Sequence, residues 1–202
     1  MSLIKKYFSL FVKRCLLYDN YIKLEKLKAD GILSIGRHTY GSPIVDVYRN
    51  SERKLIIGKF CSISPEVRFI TGGIHPINWV SLFPIRDKMG LNMAYDGTPT
   101  SNGDITVGND VWIGTGSTIL SGIDIGHGAV ILAGSIISKN VPPYAVVGGV
   151  PGKTIKYRFS AKEIERLLST KWWNWSDDKI VENIKLLNGS NINSFLKIFP
   201  GK

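Results

Sequence analysis

Residues 105–138 read ITVGNDVWIGTGSTILSGIDIGHGAVILAGSIIS, and every sixth residue from Val107 to Ile137 is valine or isoleucine. The residue four places after each of these anchors is small or β-branched, as in Val111 and Ala129. A period of six predicts a parallel β-helix in which each hexad forms one short strand and one corner. The anchors point into the prism and stack on the anchors of the next coil at the usual strand spacing.

The same register occurs earlier in the chain, at Ile57-Gly58, Ile63-Ser64 and Phe69-Ile70, with a further copy at Ile35-Gly36. Cys61 occupies one of the small inward positions and is therefore predicted to be part of the core. Glycine frequently follows the anchor, and we expect it to permit backbone dihedrals that β-branched residues resist. The apolar run at 119–138 is then a stacked core rather than a membrane helix.

Two irregular stretches interrupt the period, one near residues 47–54 and a longer one at 71–103. A loop of about 30 residues inside a regular solenoid is unusual and generally functional. The predicted fold is mainly β: residues 31–155 form the β-helix with the inserted loop 71–103. Residues 1–30 are expected to form a basic, helical extension, and residues 156–202 a C-terminal helical segment.

Helix signals appear after the repeat. Ser160 and Glu163 form a capping box ahead of an apolar stripe at Ile164, Leu167 and Leu168. Ser176 is expected to cap a second helix that ends at Asn188-Gly189. A tryptophan cluster stands between the two helices, and we interpret it as the contact that docks them on the prism rather than as a ligand site. Its members are Trp172, Trp173 and Trp175.

The composition is globular, with 44% hydrophobic and 21% charged residues, and the net charge is +10. A basic surface suits acidic partners such as phosphates or membrane headgroups, but no nucleic-acid motif accompanies it. The two cysteines form no CxxC pair, which argues against disulfide scaffolds and zinc ribbons and fits a reducing cytoplasm.

The N-terminal apolar stretch is interrupted by lysine and arginine, so neither an export signal nor a membrane span is expected there. Its apolar residues can lie on one face of a helix. That helix either packs against an assembly of copies or anchors the protein at an anionic membrane surface, so the expected location is cytoplasmic or at the inner face of the membrane. The residues of this face are Ile4, Phe8, Phe11 and Cys15.

Five motifs occur together with the hexads: LIIGKFCSI at 55–63, GNDVWIG at 108–114, VGGVP at 147–151, RFS at 158–160 and WWNW at 172–175. In these the chain resembles the hexapeptide-repeat acyltransferases with a left-handed β-helix, from about residue 35 to residue 187. The resemblance is strongest to the xenobiotic branch, the streptogramin and type B chloramphenicol acetyltransferases, to which saccharide O-acetyltransferases are related. It implies a left-handed β-helix, a homotrimer and acetyl-CoA as co-substrate, with no metal.

His75 is the candidate catalytic residue. It lies in the aperiodic loop between two glycines and Pro76, and neutral imidazole is the commonest general base. The resemblance places the family's catalytic histidine at the same position. The other two histidines, His38 and His127, fall on outward hexad positions and are interpreted as solvated. The spacing of the three histidines argues against a three-histidine metal site.

The resemblance also implies a coenzyme A site with cations for phosphate and small residues beside the pantetheine arm. Its residues are Thr115, Ala133, Ser138, Lys139, Lys153 and Lys156, with Arg158 as a nearby addition. Three aromatic residues of the loop either stack on a sugar or pack the loop: Trp79, Phe83 and Tyr95.

The sequence therefore predicts an acetyl-CoA-dependent O- or N-acetyltransferase that acts directly on a saccharide, either as polysaccharide, lipid-linked sugar or nucleotide sugar. Acetylation of an antibiotic such as chloramphenicol or a streptogramin is the alternative. A non-catalytic β-helix that serves as a scaffold or glycan-binding module is the third possibility. The neutral faces between Ile105 and Val150 predict a homotrimer with active sites between neighbouring subunits.

Overall fold

A computed structural model describes residues 19–48, 53–91 and 100–201. The repeat forms a left-handed parallel β-helix whose three walls are parallel sheets. Sheet A contains β1 (Leu33–Ile35), β3 (Leu55–Ile57), β6 (Ile105–Val107) and β9 (Asp124–Ile125). Sheet B contains β4 (Ser62–Ile63), β7 (Trp112–Ile113), β10 (Val130–Ile131), β12 (Ala145–Gly148) and β13 (Lys153–Tyr157). Sheet C contains β2 (Ile44–Asp46), β5 (Arg68–Ile70), β8 (Thr118–Ile119) and β11 (Ile136–Ile137).

The register of the sheets confirms the predicted stacking of hexad anchors. Ile113 pairs with Ile63 on one side and with Ile131 on the other. Equivalent ladders run through Val107 and Ile125 in sheet A and through Ile119 and Ile137 in sheet C. These side chains are buried, as are the small inward residues, Cys61 among them. The hydrophobic core is therefore a column along the prism axis.

Glycine occurs beside the hexad anchors for a different reason from the one predicted from the sequence. Its backbone φ is not in the positive range at Gly58 or Gly108. Instead, a Cβ on Gly58 would lie 2.4 Å from the carbonyl oxygen of Gly108, and a Cβ on Gly108 would lie 2.7 Å from the backbone nitrogen of His127. The coils approach so closely at this corner that only hydrogen fits, which is a packing requirement rather than a dihedral one.

Two segments lie outside the regular coils at the N-terminal side. The described part of the N-terminal extension, residues 19–29, is a helix (α1), and its Leu24 and Leu27 are buried in the core of the β-helix. The apolar face predicted at residues 4–15 lies outside the described residues. The inserted loop leaves sheet C after β5 and returns into sheet A at β6, and its described part carries one short helix, α2 (Ile85–Lys88).

The C-terminal segment folds back on the β-helix. β13 pairs antiparallel with β12 and closes sheet B. The segment continues with α3 (Ala161–Thr170), a 3₁₀ turn (Trp172–Asn174), α4 (Asp177–Glu182), α5 (Ile184–Leu187) and α6 (Ile192–Ile198). The capping box of Ser160 and Glu163 and the cap of Ser176 are confirmed. The single second helix predicted to run to Asn188-Gly189 is divided at Asn183, and α6 was not predicted.

The tryptophan cluster docks this segment as predicted. Trp173 is buried and stacks on His127 with ring centroids 4.5 Å apart, while Trp172 packs on Phe60 at 5.1 Å. Trp175 lies in a second apolar cluster with Phe195 and helix α3. In the part of the chain that the structure describes, no helix is both long and apolar enough to cross a bilayer.

Candidate active site

The inserted loop is fixed at its base before it reaches His75. Ile74 and Thr100 form an antiparallel bridge through two backbone hydrogen bonds of 3.0 and 2.9 Å. Gly73 has φ of 87°, and a Cβ there would lie 2.5 Å from Cζ of Tyr48. Glycine is therefore required twice, for its left-handed backbone and for the close approach of the Tyr48 ring. The Ile74–Thr100 bridge and the backbone conformation of Gly73 fix the path of the chain immediately before His75.

The imidazole of His75 is oriented by a backbone group. Its Nδ1 lies 2.7 Å from the carbonyl oxygen of Leu82, seven residues further along the loop. A carbonyl oxygen can only accept, so Nδ1 carries the hydrogen and donates it. In the neutral ring the lone pair is then on Nε2. The half-buried side chain thus has the tautomer and the fixed ring that a general base requires, with Nε2 as the basic atom.

Several apolar residues that follow His75 in the loop have exposed side chains. Trp79 is 45% exposed and Phe83 is 58% exposed, so neither packs the loop within its own chain. Ile77 is 91% exposed and Val80 is fully exposed. Tyr95, the third predicted aromatic, lies outside the described residues. A surface of this kind is typical of a contact with another molecule.

The residues predicted for coenzyme A lie at different corners of the β-helix. Thr115 and Ala133 follow sheet B in successive coils and form one column, in which the Gly134 amide donates to the Thr115 carbonyl at 2.9 Å. Ser138 and Lys139 follow sheet C at the corner from which the inserted loop also departs. Lys153 and Lys156 lie on β13. Thr115 and Ala133 therefore lie at one corner of a single chain and Ser138 and Lys139 at the next, while Lys153 follows Gly152, whose amide donates to the Ile136 carbonyl at 2.8 Å.

The three lysines have free ammonium groups. Within the described ranges, the side chains of Lys139, Lys153 and Lys156 are exposed and form neither hydrogen bonds nor ion pairs. By contrast, the hydroxyl of Thr115 is occupied, because it donates to the carbonyl of Pro65 at 2.7 Å.

Arg158 differs from these lysines because it is held by its own chain. Its guanidinium donates to the Gly128 carbonyl at 2.7 Å and lies 3.4 Å from the Asp110 carboxylate. It also lies over the rings of Tyr144 and Phe159. These contacts join the C-terminal segment to the β-helix, so we interpret Arg158 as a structural cation and leave it out of the coenzyme site.

The prediction that His38 and His127 are solvated holds for His38, which is exposed although it has partners, and needs correction for His127. Nε2 of His38 lies 3.0 Å from the Asp177 carboxylate, and the ring stacks on Phe60. Nδ1 of His127 accepts from the Asn109 amide at 2.8 Å, and burial, reinforced by the charge of Lys171, lowers the pKa of His127. Both rings contact the C-terminal segment, which half-buries His127, whereas the side chain of His38 stays 45% exposed. Neither is positioned as a base of the loop site.

Two features of the site were not predicted from the sequence: the carbonyl of Leu82 and the ring of Tyr48. The first is a backbone group, which no residue pattern reveals. The second has a partial signal in the Gly72-Gly73 pair. Two successive glycines indicate that another group packs closely on the backbone there, but they do not show that this group is Tyr48. Among the described residues, no group of three histidine, cysteine, aspartate or glutamate side chains is arranged to hold a metal ion.

Comparison with known proteins places the chain in a family. The family described as bacterial transferase hexapeptide (six repeats) matches residues 104–139. The chain is 45% identical over 149 residues to a chloramphenicol acetyltransferase of Klebsiella aerogenes, which covers 71% of this chain and 70% of that protein. It is 44% identical over 140 residues to a probable macrolide acetyltransferase of Lysinibacillus sphaericus, 66% of this chain and 77% of that protein.

A more distant relative is the galactoside O-acetyltransferase of Escherichia coli, 34% identical over 127 residues, which cover 61% of this chain and 53% of that protein. The matches to the chloramphenicol and macrolide enzymes are much longer than the 36 residues that the family model matches. The chain therefore belongs to the hexapeptide-repeat acetyltransferases, in the branch that contains the chloramphenicol acetyltransferases.

Proposed function

We propose that this protein transfers the acetyl group of acetyl-CoA to a hydroxyl group of chloramphenicol or a similar antibiotic, with His75 as the general base. The observation that carries the proposal is the hydrogen bond from Nδ1 of His75 to the Leu82 carbonyl. It leaves Nε2 of this loop histidine as the proton acceptor. The sequence alone favoured a saccharide acceptor, but the identity to the chloramphenicol enzymes favours the antibiotic.

The reaction needs one proton transfer that this chain can supply. Acetyl-CoA brings an activated acyl group as its thioester. As the acceptor oxygen bonds to the acyl carbon, Nε2 of His75 takes the hydroxyl proton, and the Leu82 carbonyl stabilises the positive ring through the Nδ1 hydrogen bond. The thiolate of coenzyme A leaves and receives that proton from the same imidazolium. The acetyl group ends on the acceptor oxygen, and the base returns to its neutral form.

The exposed ammonium groups of three lysines suit the phosphate groups of coenzyme A. Phosphate groups require exposed cations, and Lys139, Lys153 and Lys156 have no competing partner within the described ranges. The small side chains of Ala133 and Ser138 leave their corners open to the extended pantetheine arm. Because these groups occupy separate corners of one chain, we propose that neighbouring subunits contribute them to a shared cleft.

A homotrimer would supply that cleft and cover the apolar loop. Ile77, Val80 and Phe83 are exposed in the single chain, which is costly for a soluble protein unless a partner packs on them. Threefold symmetry closes the contact without leaving an unpaired face and produces three equivalent sites. In this arrangement, Trp79 and Phe83 lie next to the acceptor and contact its aromatic or apolar part.

An acceptor screen tests the proposal. The purified protein is incubated with acetyl-CoA and, separately, chloramphenicol, a streptogramin A antibiotic and a galactoside. Thiol release gives the rate, and mass spectrometry identifies the acetylated product. We expect kcat/KM for an antibiotic to exceed that for the galactoside by at least about tenfold, which corresponds to a modest difference in transition-state binding. Turnover of the galactoside alone would refute the antibiotic proposal and support the saccharide alternative, which the galactoside O-acetyltransferase relative favours.

A further inference from the structure

A cleft of about 380 Å³ lies between the C-terminal helices and the corner that joins sheets A and B. Its lining includes three polar side chains, those of Asp110, Tyr144 and Arg158. The other lining side chains are mostly apolar and include Phe159, Leu167 and Phe195. The loop that carries His75 leaves the β-helix at a different corner, between sheets C and A. The cleft is thus not explained by acetyl transfer.

The hydroxyl of Tyr144 is the unusual feature of this cleft. Tyr144 is 2% exposed, and its hydroxyl oxygen is buried without a hydrogen-bond partner in the described structure. The ring cannot turn away, because it packs directly on Gly128, where a Cβ would lie 2.4 Å from Cε1 of Tyr144. Buried hydroxyl groups nearly always have a partner, so an unpaired one that lines a cleft indicates a missing acceptor. Burial raises the pKa of Tyr144 well above its usual range, so the phenol keeps its proton.

The two charged groups of the cleft largely satisfy each other. Arg158 donates to Asp110 and to the Gly128 carbonyl, and its Cζ lies 5.2 Å from the Tyr144 ring centroid. Burial raises the pKa of Asp110, and the charge of Arg158 opposes that rise. A charged ligand would have to displace this pair, whereas a neutral one would not. The remaining surface is aromatic and aliphatic.

We propose that the cleft binds a small neutral molecule with an aromatic or aliphatic body and a carbonyl oxygen that accepts a hydrogen bond from the Tyr144 hydroxyl. The volume is sufficient, since an apolar cavity of roughly 150 Å³ already holds benzene. The walls contact the apolar body, and Tyr144 orients the oxygen. This site is separate from the acetyl-transfer site and does not depend on the acceptor of that reaction.

Fluorine NMR titration with two matched probes tests the hydrogen bond. para-Fluoroacetophenone has the carbonyl oxygen, and para-fluoroethylbenzene has the same ring and chain length without it. In the variant Tyr144→Phe, the affinity for the ketone should fall about fivefold, the typical effect of one neutral hydrogen bond. The affinity for the hydrocarbon should stay the same. An unchanged ketone affinity in this variant would overturn the proposal.

Two further variants establish where the probes bind. Ile184 lines the cleft and is 49% exposed, so Ile184→Trp should fold normally and obstruct the opening. It should weaken both probes at least about tenfold, as expected when a bulky group occupies an apolar site. His75→Ala should leave both affinities unchanged. Loss of binding in His75→Ala would place the probes in the acceptor site, and absence of saturable binding in the wild type would mean that the cleft holds water only; either result refutes the proposal.

Discussion

The exposed side chains of Lys139 and Lys153 are available to bind coenzyme A. Both ammonium groups are exposed and form no ion pair within the described ranges, so their folded-state contacts contribute little to stability. If they bind phosphate or pantetheine groups, Lys139→Ala and Lys153→Ala should each raise the KM for acetyl-CoA several-fold and change the acceptor KM less. Steady-state kinetics with each substrate varied in turn measures both effects.

Lys162 provides the matched control for these variants. It is an exposed lysine on α3, outside the predicted coenzyme residues. Lys162→Ala lowers the net charge by the same amount, so a general electrostatic effect would appear equally in all three variants. An increase confined to the acceptor KM in the Lys139 and Lys153 variants would show that these residues do not bind the coenzyme.

His75, the proposed base, illustrates what the sequence can and cannot predict about a residue. The position of His75 in an aperiodic loop after Gly72-Gly73 was visible in the sequence and was enough to select it from three histidines. The tautomer depends on the carbonyl of Leu82, and a backbone group seven residues away leaves no trace in composition. Likewise, Arg158 looked like Lys153 and Lys156 in the sequence, and only its contacts with Asp110 and Gly128 distinguish it.

At the scale of elements, the C-terminal helices are attached to the β-helix by charged groups as well as by tryptophans. The Asp177 carboxylate in the first turn of α4 accepts hydrogen bonds from His38 and Arg37, and Arg37 also donates to the Trp175 carbonyl. The contact with His38, followed by the charges of Arg37 and His38, lowers the pKa of Asp177. The attachment is therefore sensitive to pH.

The direction of that sensitivity follows from linkage. A carboxyl group with a lowered folded-state pKa stabilises the fold above its unfolded-state pKa, near 3.9, and this contribution is lost as the pH falls through the folded-state value. Asp177→Asn should therefore lower the Tm slightly at neutral pH, and the difference from the wild type should shrink as the pH approaches the carboxyl range. Thermal unfolding measured over a pH series tests this expectation.

The control for this prediction is Asp178→Asn, which removes a carboxylate from the same helical turn. Both variants lose the interaction with the helix dipole, so only the difference between them reports the contact with Arg37 and His38. A difference between the Asp177 variant and the wild type that stays constant from neutral to acidic pH would contradict the assigned ion contacts.

A strand or helix could be predicted from the sequence when its signal lies within a few neighbouring residues. The hexad strands and the helix caps at Ser160 and Ser176 follow from short patterns, and the structure confirms them. The division between α4 and α5 at Asn183 does not interrupt the apolar stripe and therefore has no local signal. A helix at α6 was not predicted, although Asn191 caps it and Ile192, Phe195 and Leu196 lie at helical spacing. The reason for glycine at Gly58 and Gly108 could not be predicted from a local pattern, because it is close contact with the adjacent coil.

For the whole molecule, we expect a homotrimer. The loop exposes Ile77, Val80 and Phe83 in a single copy, and the residues proposed to bind the coenzyme occupy more than one corner of it, so we expect neighbouring copies to cover this surface and complete the site. Light scattering at micromolar concentration should give three times 22.4 kDa. Replacing Val80 with aspartate should shift the protein toward smaller species and reduce activity, because a carboxylate would be buried in the contact. A fully active monomer would contradict the shared cleft.

The most direct test of the central claim is the turnover of His75→Ala in its assembled form. The variant should keep the wild-type mass in solution and nearly the wild-type affinity for coenzyme A, because the coenzyme residues lie outside the loop. Its kcat for acetyl transfer to the acceptor found in the screen should fall by about 10²–10⁴-fold, the usual contribution of a general base. A kcat within a few-fold of the wild type, in a variant that assembles and binds coenzyme A normally, would show that His75 is not the base.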